Sequence, residues 1–348
     1  MNEKPFISIA IASYNYGKYL QRGFEAIKRQ TFKDIEIVYL DDASTDNSVS
    51  TIMQIIQNNA EMNIRLIQNT TNNGLLYTKT RLIQECSGTY IMLCDADDWM
   101  TDNCLAKLAE KAKAEDADRI VSEVYDINEE GKIIQIQDLP PNPSKWLWNI
   151  HHGCLYKRSL LIDNDIRILH DPDDVYMITK FNQYVQRISW IHEPLYYWYV
   201  HDDSEGRRKA EGKSYEKVQE DFAIVIQYID DTISYVSKEQ MAKDNLQTED
   251  ASLLELLLMK VYYLQLLHVA RHFSIREKIK CQDVLSKLMK QFHPQYLYNK
   301  YLNSNIESPM RDYATKIIKF CAWLERMHLM KIGLVGYHFL NKIVYLDQ

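Results

Sequence analysis

Asp95, Asp97 and Asp98 close an apolar run, Thr89-Tyr90-Ile91-Met92-Leu93-Cys94, that starts after Gly88. A short apolar run bounded in this way predicts a strand buried in a parallel sheet. Such sheets place ligands beyond the carboxyl ends of their strands. Asp95 and Asp97 alternate, so on extended backbone their carboxylates point the same way. Two hard oxygen donors on one side suit Mg²⁺ or Mn²⁺ better than zinc. A solvated Asp-rich turn that merely ends a strand has the same composition. Asp41-Asp42 closes a second apolar strand, and Asp173-Asp174 stands where a helical pattern begins. Asp is a preferred helix cap and Pro172 suits a first turn, so Asp173-Asp174 also has a purely structural explanation. His151-His152 would face opposite sides of a strand, which disfavours joint metal ligation. Packing, or contact of one of them with a substrate, is the expectation.

The elements that must position these groups read clearly. Apolar strands are predicted at 6–12, 35–40, 64–68 and 89–95. Helices at about 18–30, after the Ser44-Thr45-Asp46 cap, and at 75–85 separate them. The alternation predicts a doubly wound sheet. In the common strand order 3-2-1-4 the first strand lies between Asp41-Asp42 and Asp95-Asp97, and the crevice there is the expected ligand site. Carboxylates would repel a bare phosphate. They suit ribose or base donors, or a metal that bridges a diphosphate. No G-x-G-x-x-G follows the first strand and no G-x-x-x-x-G-K-[ST] occurs, which disfavours dinucleotide and Walker-type phosphate sites.

Ser8-Ile9-Ala10-Ile11-Ala12-Ser13-Tyr14-Asn15, Gln30-Thr31, Asp41-Asp42-Ala43-Ser44-Thr45-Asp46, Asn73-Gly74 and Asp95-Ala96-Asp97-Asp98 occur in this order. The set resembles the successive motifs of the inverting family-2 glycosyltransferases, over roughly residues 5 to 205. The resemblance implies a GT-A fold: a Rossmann-like, mostly parallel sheet flanked by helices. It implies a nucleoside-diphosphate sugar donor, read as a UDP-sugar, and a glycan or lipid-linked acceptor in bacterial surface polysaccharide or glycolipid assembly. By resemblance, Ala12, Ser13, Tyr14, Asn15 and Asp42, with Asp41 beside it, contact the nucleoside. Asn73, Gly74 and Ala96 belong to the same donor site. Asp95 lies near the ribose or the metal, and Asp97 holds Mn²⁺ or Mg²⁺. Ala12 and Ala43 stand where the family usually has Pro and Gly.

Direct displacement at an anomeric carbon needs a base for the acceptor hydroxyl proton. Asp173-Asp174 resembles the family's Glu-Asp pair with Glu replaced, so Asp174 is the expected base and Asp173 the other candidate. Tyr197-Trp198-Tyr199-Val200-His201 resembles the closing aromatic-His segment, which makes His201 a candidate for the metal or diphosphate. Arg207 or Arg208, in a loop after Gly206, would close over the diphosphate. A surface histidine and a solvated basic loop are the plainer readings of the last two.

The 348 residues are enough for two domains. Residues 1–210 read as the catalytic domain, with a nucleotide-sugar half to 100 and an acceptor half from 101. Residues 211–348 read as helical, with helices at about 252–273, 276–292 and 312–345. A formal charge of −7 argues against a nucleic-acid partner. Six cysteines without CxxC spacing and no leader pattern predict a cytoplasmic protein. No apolar run reaches 18 residues, so no spanning helix is expected. Residues 311–348 hold six Lys/Arg against three Asp/Glu, interleaved with Trp323, Met327 and Leu334. Such an end could lie on the inner face of an anionic membrane, pack in the bundle, or join a homodimer.

Three other functions share parts of this pattern. A nucleotidyltransferase would open with a Gly-rich, Arg-containing loop, unlike Ser13-Tyr14-Asn15-Tyr16. A glycoside hydrolase would not need the nucleotide-shaped first half. A non-catalytic sugar-nucleotide binder would not depend on Asp174.

Overall fold

The computed structural model describes residues 4–170, 173–201, 213–241, 249–303, 306–307, 309–310 and 312–346. Arg207 and Arg208 lie outside the described residues, as do Asp171 and Pro172. The chain divides into two compact units, Met1–Leu139 with Asn149–His201, and Pro140–Trp148 with Asp202–Gln348.

The first unit starts with the alternation expected from sequence. β1 (Ile7–Ser13), α1 (Gly17–Lys28), β2 (Ile35–Asp41), α2 (Ser48–Asn58), β3 (Ile64–Gln68), α3 (Leu75–Glu85) and β4 (Tyr90–Asp95) follow one another. β1, β2 and β4 are buried on both faces, as their continuous apolar runs require. β1 pairs in parallel with both β2 and β4, and the register sets Ser13 opposite Asp41 and Ala12 opposite Asp95. The first strand therefore ends between the two acidic strand ends.

Beyond β4 the sheet becomes mixed. β5 (Trp99–Met100), α4 (Cys104–Glu115), β6 (Arg119–Ile127), β7 (Ile133–Gln137), β8 (Cys154–Lys157), α5 (Arg158–Asp163), α6 (Asp173–Asn182) and β9 (Ile188–Tyr199) complete the unit. The strand order is β3-β2-β1-β4-β8-β6-β9-β5, with β7 forming a hairpin on β6. β8 runs antiparallel to β4, which turns the sheet and brings its loop beside Asp95. The core is continuous, from Ile7, Ile9 and Phe24 through Met92 and Leu105 to Tyr196.

The second unit is helical: α7 (Tyr215–Met241), α8 (Glu249–Leu267), α9 (Ile275–Phe292), α10 (Asp312–Arg326) and α11 (Met330–Leu346). The segment Glu249–His272 is long and apolar enough to cross a membrane by length and composition, contrary to the sequence reading. Glu255 and Lys260 interrupt its apolar run, which is why no run of 18 is seen. Leu253, Leu257, Val261 and Leu266 are buried within the unit, and 71% of the most apolar window is buried, as in a core helix. The single helix expected at 312–345 is two. His328 takes φ 58°, Leu329 N–H donates to Leu324 O at 2.7 Å, and His328 N–H donates to Glu325 O at 3.1 Å. This is a Schellman end, with histidine where glycine is usual.

Candidate active site

The DxD segment is a turn rather than extended backbone. Asp98 N–H donates to Asp95 O at 3.1 Å, so the chain reverses as soon as β4 ends. The alternation expected for Asp95 and Asp97 is lost, and the two carboxylates meet different partners.

Asp95 faces three cationic or imidazole groups. Lys79 Nζ, from α3, lies 3.3 Å from Asp95 Oδ1. His152 Nε2 lies 3.2 Å from Oδ2, and His151 Nε2 3.5 Å from Oδ1. The two histidines do not face opposite ways. They precede β8 in a turn where Gly153 takes φ 65° and Cys154 N–H donates to His151 O at 3.2 Å. Their rings stack with centroids 4.2 Å apart, and His152 also stacks on Trp198. The donor atoms of Asp95, His151 and His152 all lie within 4.8 Å of one another.

Asp173 and Asp174 open α6 and reach the same cluster. Lys79 Nζ donates to Asp173 Oδ2 at 2.8 Å, and His151 Nδ1 pairs with Asp174 Oδ1. Burial alone would lower His151, but the Asp174 and Asp95 carboxylates push it up to about 10. Burial, and then the charge on His151, lower His152. Burial would raise Asp95, yet Lys79 and then His151 hold it well below the carboxylate range. Asp173 is likewise lowered, by Lys79 against burial. Lys79 is raised well above its usual value because Asp173 and Asp95 outweigh its burial. At neutral pH the cluster holds ionised Asp95 and Asp173, cationic Lys79 and His151, and a neutral His152.

Asp97 sits in a second group. Its Oδ2 is 2.7 Å from His201 Nε2, and the Tyr19 hydroxyl is 3.3 Å from His201 Nδ1. His201 stacks on Tyr199, at the end of β9. A carboxylate oxygen and an imidazole nitrogen at this spacing could turn to a divalent ion, and the donor atoms of Asp95, His151 and His152 lie close enough to share one only where His151 gives up the proton it holds toward Asp174. Asp98 turns inward instead. Tyr199 N–H donates to its Oδ1 at 2.8 Å, and burial, then Asp97 and Asp95, push its carboxyl well above the usual range. It therefore ties the DxD turn to β9.

The residues expected on the donor side form a hydrogen-bonded loop net. Asp42 is buried and accepts from Asn69 Nδ2 at 2.6 Å, Asn73 N–H at 3.0 Å and Gly74 N–H at 2.8 Å. Asp41 accepts from Ser44 N–H at 2.9 Å and Ser44 Oγ at 2.5 Å. Asn15, at φ 58°, accepts from Thr45 N–H at 2.8 Å. Tyr14 is exposed, and Ala12 and Ala96 flank Asp95 at the end of β1 and in the DxD turn. The Ser13 hydroxyl is buried with no hydrogen-bond partner among the described residues.

Sequence reasoning missed Lys79. Its signal was present: α3 buries Thr78, Leu82 and Ile83, and Lys79 lies in that same stripe. A lysine inside an apolar stripe needs buried partners.

The profile of glycosyl transferase family 2 matches residues 8–169. Over these residues, a little under half of its length, the chain is similar to that family. Glycosyltransferase GlyG of Streptococcus pneumoniae serotype 4 is 33% identical over 123 residues, 35% of this chain and 40% of GlyG. The chain thus matches well under two thirds of that relative's length. The TarS fragment 1–349 of S. aureus, solved in complex with UDP-GlcNAc, superposes with a TM-score of 0.68 at 16% identity, over 95% of this chain and 91% of that one. The mannosyltransferase PcManGT from Pyrobaculum calidifontis, solved with GDP-Man and Mn²⁺, gives 0.51 at 14% identity, over 98% and 88%. These likenesses establish the GT-A fold for this chain.

Proposed function

We propose that the chain is a metal-dependent, inverting glycosyltransferase that moves a sugar from a UDP-sugar to a hydroxyl of a glycan or lipid-linked acceptor. The observation that carries this reading is the convergence of Asp95, from the end of β4, with Asp173 and Asp174, from the start of α6, on Lys79 and His151. One carboxylate stands on the donor strand and two stand on a separate element across the cluster. Direct displacement at an anomeric carbon needs that division of labour.

In this mechanism Asp174 takes the acceptor hydroxyl proton. The acceptor oxygen bonds to the anomeric carbon as the bond to the diphosphate breaks, and the configuration inverts. His151, paired with Oδ1 of Asp174, orients the carboxylate and leaves Oδ2 for the hydroxyl. Lys79 balances Asp95 and Asp173, so an anionic donor does not meet three uncompensated carboxylates. Asp97 and His201 would hold the ion, with Asp95 between the ion and the ribose. When bound, a divalent cation there supplies positive charge for the departing diphosphate. The loops of Ala12 to Asn15, Asp41-Asp42 and Asn73-Gly74 shape the nucleoside side. The choice of uridine rests on the TarS likeness.

Thermal-shift measurements with UDP-GlcNAc, UDP-glucose and GDP-mannose, each with and without Mn²⁺, test the donor reading. A shift with a UDP-sugar that grows with Mn²⁺ supports it. Asp174→Asn should keep that shift and lose transfer. Stabilisation by none of the donors would sink the proposal.

A further inference from the structure

We infer that the outer face of α10 is a docking surface for an anionic lipid bilayer. The inference stands apart from the proposed chemistry, since α10 lies in the helical unit and shares no residue with the candidate site.

α10 is apolar on two faces. One face, with Ile318, Cys321, Ala322 and Leu324, is buried in the bundle. The other carries Ile317, Phe320, Trp323 and, just past the helix end, Met327, spaced at about one turn each, and these are 43%, 59%, 48% and 55% exposed. Phe320 and Trp323 stack with ring centroids 6.0 Å apart, so the exposed rings form one ordered surface. A contiguous apolar strip of this kind marks a binding face.

Charge decides what it fits. Lys316, Arg326 and Lys331 are exposed around the strip, and Lys319 is half-buried beside it. From residue 313 to residue 330 the only carboxylate is Glu325. It is turned inward, where it accepts from the hydroxyls of Tyr263 at 3.1 Å and Tyr296 at 2.5 Å. The exposed Asp283 pairs with Lys331 at 2.8 Å and neutralises that cation, which leaves Lys316, Lys319 and Arg326. Among the described residues, an acidic chain thus presents a strip that is aromatic and apolar, with Lys316, Lys319 and Arg326 on the same helix. Trp and Phe on one side with Lys and Arg around them is the composition of helices that lie in the bilayer interface. Each cation near an anionic surface strengthens binding roughly fivefold, and salt weakens the effect. A second copy of the chain would present the same cations to itself.

Co-sedimentation of the full chain with vesicles tests the inference. Phosphatidylcholine vesicles are compared with an equimolar mixture of phosphatidylcholine and phosphatidylglycerol. The chain should pellet with the anionic vesicles, stay in solution with the neutral ones, and be released by salt. The exposed-site variants Phe320→Ser/Trp323→Ser and Lys316→Glu/Lys319→Glu should each reduce the bound fraction at least tenfold, with unchanged circular dichroism and unchanged response to UDP-sugars. The idea is overturned if the native chain ignores anionic vesicles, or if both variants bind as it does. It is equally overturned if light scattering shows a dimer that Phe320→Ser/Trp323→Ser dissolves.

Discussion

Lys79→Met is the sharpest probe of the site's electrostatics. The ammonium sits 2.8 Å from Asp173 and 3.3 Å from Asp95, with only 5% of its side chain exposed. At an effective dielectric of about 20, these distances correspond to roughly 6 and 5 kcal/mol of gross attraction. Desolvating the lysine cancels much of that, and removing one partner of a buried pair costs about 3–5 kcal/mol in net stability. Asp95 and Asp173 keep 30% and 20% of their side-chain surface in contact with solvent. Water can therefore screen the orphaned carboxylates, which places the cost at the lower end, about 3 kcal/mol. Methionine fills the volume, so the loss reports charge rather than a cavity. Urea denaturation at pH 7 measures it. Lys79→Met should also weaken UDP-sugar binding, because the diphosphate then meets uncompensated carboxylates, whereas Lys79→Arg should recover part of both losses. A stability loss below about 1 kcal/mol, or unchanged donor affinity, would refute the assignment of Lys79 as the balancing charge.

Glu36 is buried in β2 and accepts from Ser8 Oγ at 2.5 Å and Ser87 N–H at 2.5 Å, with Arg65 at 3.4 Å. Burial pushes its carboxyl up, but these partners pull it below its ordinary value. Its contribution is complete above the unfolded glutamate value near 4.3 and is lost as pH falls through the lower folded value. Glu36→Gln should therefore cost roughly 2 kcal/mol at pH 7, and the gap between the two urea midpoints should close below about pH 4; a gap that does not change with pH counts against the reading. Ala43 takes φ 61°, where an L side chain is strained. Ala43→Gly should raise stability by about 0.5–1 kcal/mol in the same assay, the relief of strain exceeding the added chain entropy. Gly153→Ala has the opposite sign, because φ is 65° and a Cβ would meet Ser122 Oγ at 2.4 Å. It should cost about 1–3 kcal/mol and abolish transfer, since the turn that aims His151 and His152 is lost. Retained transfer by a folded Gly153→Ala variant would mean that the histidine pair does not orient the base.

What the sequence made legible follows from range. β1, β2, β3 and β4 were readable because each is a short apolar run between turn residues, and their order followed from alternation with helices. Asp95 and Asp97 were readable as a candidate pair, yet their geometry was not, because the turn from Asp95 to Asp98 cancels the alternation that a strand would impose. The histidines failed for the same reason. A two-residue period was applied to a segment whose backbone is set by one residue at φ 65°, Gly153. β8 is four residues long and pairs with β4 across more than sixty positions, so nothing local announced that its loop would face Asp95. Lys79 had a local signal, but its partners Asp95 and Asp173 come from two other elements. The division is physical. Hydrophobic periodicity specifies which elements form and which face they bury, while turns and long-range pairing specify where polar groups point. In this chain the groups that could do chemistry stand at strand ends, in turns or at one helix start, save Lys79 inside α3. Strand pattern therefore locates the cluster to within one end of the sheet. Gly153 and the Asp95–Asp98 reversal decide which carboxylate meets which cation, and substitutions at those two places should move chemistry more than any core change of equal size.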